Sequence, residues 1–193
     1  MSELDLAQLH RQALSATRKV VAGIKPDQWH NSTPCSDWDV RELANHVIAG
    51  NWWAAELANG ATIADVGDRL DGDILGTNPL SVYDNSAVAA AAVFERDGAM
   101  SAPCAVSYGP VPGSVYCGHR FIDVFIHGWD LAVATGQPTE LDPYLVDACL
   151  EVVKPQAAMF AGSGMFGDGE TSAHGEENPQ HELLTMLGRK PQI

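Results

Sequence analysis

Basic residues are scarce in this sequence. Eleven lysines and arginines stand against 25 aspartates and glutamates over 193 residues, a formal net charge of −14. That balance opposes binding to nucleic acid or to an anionic membrane, both of which need clustered cations, and it favours solubility. Long apolar runs are missing: none approaches the ~20 residues that a membrane-spanning helix needs. The opening MSELDLAQLHRQ has no basic stretch followed by an apolar one, so no secretory signal is expected. Cysteine is sparse. Cys35, Cys104, Cys117 and Cys149 are dispersed with no CxxC pair, which suits reduced, mostly buried thiols in a cytoplasmic protein rather than a disulfide framework. The glycines between 162 and 169 lack a Walker lysine, and no GxGxxG follows a strand, so no phosphate cradle is present. The run DVGDRLDGD is acidic like a calcium loop but does not keep the ligand spacing of one. There is no internal repeat.

What is present favours helices. Hydrophobic residues make up 46% of the chain, enough for a sizeable core in one domain spanning 1–193. Residues 4–22 place Leu4, Leu6, Leu9, Ala13, Ala16, Val20 and Val21 at helical intervals before Gly23 and Pro26. His10 reads there as a surface or edge histidine. The turn-rich link HNSTPCSD leads to a helix over 38–58, with Ser36 or Asp37 as N-cap and Asp39 and Glu42 in its first turn. Its inward stripe is Leu43, Val47, Gly50 and Ala54, and His46 points along it. Residues 60–80 read as a long surface loop with at most a short helical turn. Residues 81–98 form an alanine-rich helix capped by Ser81 or Asp84. With three prolines and two glycines, 99–116 is an extended link or short hairpin. Asp142 and Pro143 open a helix over 142–160 that Pro155 kinks or breaks. A glycine-rich loop (161–180) and a short helix (about 180–188) close the chain. The fold expected is all-α: a four-helix bundle (roughly 4–22, 38–58, 82–97 and 118–135) within about 4–135, and additional C-terminal helices within about 140–193. The short first link predicts that the first two helices are antiparallel neighbours.

The stretch CGHRFIDVFIHGWDLAVATG, residues 117–136, carries the chemistry. It reads as one helix stopped by Gly136 and Pro138. Asp123 and His127 stand i, i+4 on it and so share a face. Val124, Ile126, Leu131 and Ala134 lie beside them, and a carboxylate and an imidazole are costly in such surroundings unless paired. Two readings stand: a hydrogen-bonded Asp–His pair at a helix edge, or two ligands of one metal ion. His46, inward on another helix, would complete a set of two imidazole nitrogens and one carboxylate oxygen. That set suits zinc or another late first-row ion such as nickel, and three protein ligands leave a position open for chemistry. Asp130, Asn45, His119 and Arg120 are candidates to support the ligands, while Trp129, Trp52 and Trp53 are candidates for the cavity mouth. His119, Asp130 and Glu42 are the available general bases.

The segments TPCSDWDVRELANHVIAG and DVFIHGWDLAVATGQP resemble the two signatures of the DinB/YfiT-like metalloenzymes. The closer likeness is to the bacterial branch that includes the mycothiol-dependent maleylpyruvate isomerase and many uncharacterised relatives. The terminal MFGDGETS and NPQHELLTMLGRKP extend the resemblance nearly end to end. It implies a four-helix bundle with a metal at one end, held by His46, Asp123 and His127. The isomerase typically carries glutamate where this chain has Asp123, which favours the uncharacterised relatives. The implied function is a thiol-dependent transferase or isomerase acting on a small-molecule substrate, with mycothiol as cosubstrate. Metal-assisted hydrolysis and a non-catalytic metal- or ligand-binding bundle are the alternatives, and association as a homodimer is compatible with either.

Overall fold

The structure, a computed structural model, describes residues 4–156 and 178–190. In chain order it contains α1 (Leu6–Gly23), α2 (Val40–Ala58), the short α3 (Ile63–Val66), α4 (Pro79–Phe94), β1 (Pro103–Val106), β2 (Gly109–Pro112), α5 (Gly113–Thr135), α6 (Pro143–Val153) with a 3-10 turn at Lys154–Gln156, and α7 (Pro179–Met186). Among the described residues the fold is all-α apart from one antiparallel hairpin pairing Pro103 with Pro112 and Val106 with Gly109. No helix among the described residues is long and apolar enough to cross a membrane. The chain divides into two compact units, Met1–Pro138 and Thr139–Ile193.

The first unit is the four-helix bundle. α1 packs against α5 and α4, and α2 packs against α4 and α5. The ring therefore runs α1, α5, α2, α4, and α1 and α2 lie diagonally across it rather than as the neighbours expected. The link 24–39 explains this, because it runs over the C-terminal end of α5. Gln28 Nε2 donates to Thr135 O and Asn31 Nδ2 donates to Ala134 O, both at 2.9 Å.

α5 is buried around its whole circumference from Arg120 to Ala132, as its nearly continuous apolar sequence requires. Two glycines let neighbours approach closely. A Cβ at Gly128 would lie 2.3 Å from Thr17 Oγ1, on the α1 side, where that hydroxyl donates to Val124 O at 2.9 Å. A Cβ at Gly50 would lie 2.3 Å from Arg120 Nη1, so α2 leaves room there for the Arg120 guanidinium.

Several element boundaries differ from expectation. α2 is capped by Asp39 rather than Ser36 or Asp37: Asp39 accepts from Glu42 N–H, and Glu42 accepts from Asp39 N–H, each at 2.9 Å. This reciprocal capping box satisfies two otherwise orphaned donors, and it leaves Trp38 in the link. α4 starts after Asn78 with Pro79 in its first turn, ahead of Ser81. α5 starts at Gly113, before the expected 118, because the hairpin ends directly in its first turn. His10 is buried rather than at a surface or edge, and it meets Phe94 edge-on at 5.4 Å. It begins a stripe with Ala13, Leu14, Thr17 and Val21, all buried.

Between α2 and α4 only α3 is helical, capped reciprocally by Thr62 and Asp65, and the end of the expected 60–80 loop is already the first turn of α4. Asn45 anchors this loop, donating to Gly72 O and accepting from Ile74 N–H, both at 2.8 Å.

In the second unit Asp142 caps α6, with Pro143 in its first turn, and the α-helix ends at Val153, two residues before Pro155. Asn178 caps α7, and Lys154 pairs with Glu182 at 2.9 Å. Most of the glycine-rich loop expected at 161–180 lies outside the described residues.

Candidate metal centre

α2 and α5 face each other at the centre of the bundle's polar chemistry. His46 Nε2 lies 3.2 Å from Asp123 Oδ1, and His127 Nε2 lies 3.5 Å from the same oxygen. The two imidazole rings stand nearly perpendicular with centroids 5.0 Å apart. One donor atom from each residue falls within 4.8 Å of the others. The side chains are 34% (His46), 13% (Asp123) and 3% (His127) exposed, so the cluster is closed on the α5 side and open past His46. Two nitrogens and one carboxylate oxygen converging from two helices, with one open side, fit a late first-row divalent cation.

The electrostatics favour positive charge. Burial works against a charged Asp123, but the Arg120 guanidinium, then His127 and His46, outweigh it and hold the carboxyl well below the usual carboxylate range. Burial also works against a protonated His127, yet the Asp123 carboxylate and the hydrogen bonds of Asp123, Asp130 and Cys35 raise its pKa well above the ordinary value. The pocket thus holds a proton on His127 that a divalent cation would replace.

Of the four supporting candidates, two touch the cluster of His46, Asp123 and His127. Arg120 Nη1 donates to Asp123 Oδ2 at 2.9 Å and leaves Oδ1 to the histidines. Its Nη2 reaches Asn51 Oδ1 at 3.3 Å and Val47 O at 3.4 Å. Asp130 Oδ2 lies 3.0 Å from His127 Nδ1, on the far side of the ring from Asp123. Asn45 is the loop anchor described above. His119 sits one turn before Asp123 and meets the hairpin, where Tyr108 Oη lies 2.7 Å from its Nδ1. Glu42 is engaged in the α2 capping box.

Two residues at the site escaped the sequence reading. The Trp38 ring stacks on His46 at 4.5 Å and meets His127 edge-on at 6.0 Å, so it is Trp38 that covers the open side. The half-buried Cys35 places its thiol 3.3 Å from Asp130 Oδ2 and 3.8 Å from His127 Nδ1. Both belong to the link, which has no periodicity to give them a face; Asp39, seven residues before His46 and three before Glu42, could have signalled a helix start just after Trp38. Cys104, Cys117 and Cys149 are buried, and no disulfide joins the four cysteines.

Comparison with known proteins adds three likenesses. The family described as the mycothiol maleylpyruvate isomerase N-terminal domain matches residues 10–132. Two uncharacterised proteins of Mycobacterium tuberculosis, from strains CDC 1551 / Oshkosh and ATCC 25618 / H37Rv, are each 35% identical over 190 residues, covering 96% of this chain and 98% of the relative. A crystal structure of the mycothiol-dependent maleylpyruvate isomerase superposes with a TM-score of 0.65 at 16% identity, covering 83% of this chain and 71% of that one. At that identity the likeness is one of fold.

Proposed function

Because the chain belongs to the mycothiol maleylpyruvate isomerase N-terminal domain family, we propose that it is a metal-dependent enzyme that carries out thiol-dependent transfer or isomerisation of a small-molecule substrate, with mycothiol as the thiol. The observation that carries this reading is the convergence of His46, Asp123 and His127 within 4.8 Å on a side left open under Trp38. These three residues hold the metal, zinc or nickel by the chemistry of the donor set. When bound, such an ion lowers the pKa of a thiol or water at the open side and so raises the share of nucleophile at neutral pH.

The chain's own groups divide the remaining work. Arg120 holds one oxygen of Asp123, so the carboxylate presents a single oxygen to the cation. Trp38 fixes the His46 ring by stacking and narrows the approach to it. Among the described residues each base that the sequence offered is engaged, which favours thiol chemistry over metal-assisted hydrolysis: Glu42 is in its cap, Asp130 is on His127 and His119 meets Tyr108. A thiol, with a pKa of about 8.5, needs far less help to lose its proton than water does. Reduced thiols and a mycothiol cosubstrate fit a cytoplasmic setting.

The test is elemental analysis of untagged protein beside His46→Ala and Asp123→Ala. About one zinc or nickel per chain, lost in both variants that nonetheless stay folded, is expected for a site open to substrate. Wild-type protein that holds no cation after incubation with zinc and nickel would overturn the reading.

A further inference from the structure

We propose that Asp130 and Cys35 are positioning residues for His127, acting as one hydrogen-bonded chain that aims the His127 Nε2 lone pair at the space shared with His46 and Asp123. The inference rests on the metal reading above and deepens it.

A neutral imidazole that ligates through one nitrogen carries its proton on the other. The surroundings of the two His127 nitrogens differ accordingly. Nε2 faces Asp123, and Nδ1 faces Asp130 Oδ2 at 3.0 Å. Asp130 is 0% exposed, so no bulk water competes for that oxygen. A carboxylate there accepts the Nδ1 proton and fixes both the tautomer and the plane of the ring.

The Cys35 thiol donates to the same Oδ2 at 3.3 Å. Cys35 is held in turn by the link: its N–H donates to Thr33 Oγ1 at 3.1 Å, and Thr33 Oγ1 donates to Trp38 O at 2.8 Å. One short segment thus places Trp38 on the His46 side of the site and Cys35 behind His127.

Cys35 Sγ, His127 Nδ1 and an Asp130 oxygen also lie within 4.8 Å of one another, close enough to hold a cation themselves. A cation there would require the protons of both the thiol and Nδ1 and would make His127 a bridging imidazolate. Two donors on one carboxylate oxygen require neither loss, which favours the positioning role.

The test measures zinc affinity of the full chain by competition with a chromogenic chelator, in wild type, Asp130→Asn, Cys35→Ala and Cys35→Ser. One zinc per chain is expected in the wild type. Asp130→Asn should weaken zinc by roughly 10–100-fold, the usual consequence of losing a partner behind a ligating histidine. Cys35→Ala should weaken it by up to about tenfold, and Cys35→Ser should recover most of that because a hydroxyl also donates. A role in folding alone would not separate serine from alanine, and Val93→Ala, a core variant remote from the site, should bind zinc as wild type does. If Asp130→Asn fails to fold, the Cys35 pair in the half-buried link carries the test.

Wild-type affinity in both Asp130→Asn and Cys35→Ala, with zinc lost in His46→Ala, would overturn this inference and leave the metal reading standing. A second zinc in the wild type that disappears in Cys35→Ser would overturn it in favour of a second cation. No zinc in the wild type would overturn the metal reading and this inference with it.

Discussion

Replacing His10 with leucine should stabilise the protein, and stabilise it more in mild acid than at neutral pH. His10 is 0% exposed, and neither ring nitrogen has a hydrogen-bond partner among the described residues. Burial, followed by the charges of Arg120 and Arg11, holds its pKa at about 3 instead of 6.5. The folded chain therefore refuses a proton that the unfolded chain accepts below 6.5, and folding loses stability as pH falls from 6.5 towards 3. At 1.36 kcal/mol per pH unit, the separation of 6.5 − 3 gives roughly 5 kcal/mol by pH 3, and the 1.5 units down to pH 5 give roughly 2 kcal/mol. Leucine abolishes this loss. It also removes two buried unpaired polar atoms, each of which costs about 1–3 kcal/mol, so the variant should already be ahead at neutral pH. Urea unfolding of metal-free wild type and His10→Leu at about pH 8 and about pH 5 checks this. The carboxylates titrate alike in both proteins, so the gap between them isolates His10 and should widen by roughly 2 kcal/mol. An equal gap at the two pH values, or a folded-state His10 titrating near 6.5 by NMR, would refute the reasoning.

Arg120→Met should cost about 3–5 kcal/mol in the metal-free protein, because it strands a buried carboxylate. The sign follows from the lowered Asp123 pKa: the stabilisation is present above the ordinary carboxylate range and lost as pH falls through the folded value, so the variant forfeits it at neutral pH. Zinc should then raise the melting temperature more in Arg120→Met than in wild type, since Asp123 has lost the largest of the charges that offset it and keeps only the histidines; equal shifts would count against the clamp. Gly128→Ala drives a methyl to within 2.3 Å of Thr17 Oγ1 and should destabilise by about 1–3 kcal/mol. That cost should shrink in a Thr17→Ala background, and strictly additive effects in denaturant unfolding would refute the close contact.

Periodicity was enough to place the long helices and the inward faces of α2 and α5. A 3.6-residue repeat is a local property, and so His46, Asp123 and His127 were legible as inward polar groups. Which faces meet is not local. The ring order α1, α5, α2, α4 depends on the link 24–39 running over the end of α5, and no repeat in the link encodes that path. The same path brings Trp38 onto His46 and Cys35 behind His127, so the aperiodic part of the site stayed hidden. His10 shows the converse: its stripe through Ala13, Thr17 and Val21 was readable, but a polar residue type argued for the surface, and packing against Phe94 prevailed. Among Asn45, His119, Arg120 and Asp130, spacing made each a neighbour of the site. Only the packing of α2 on α5 separated Arg120 and Asp130, which touch Asp123 and His127, from Asn45 and His119, which hold a loop and meet a hairpin. Hydrogen-bond partners between elements are chosen by three-dimensional proximity, which sequence spacing constrains only within a single helix.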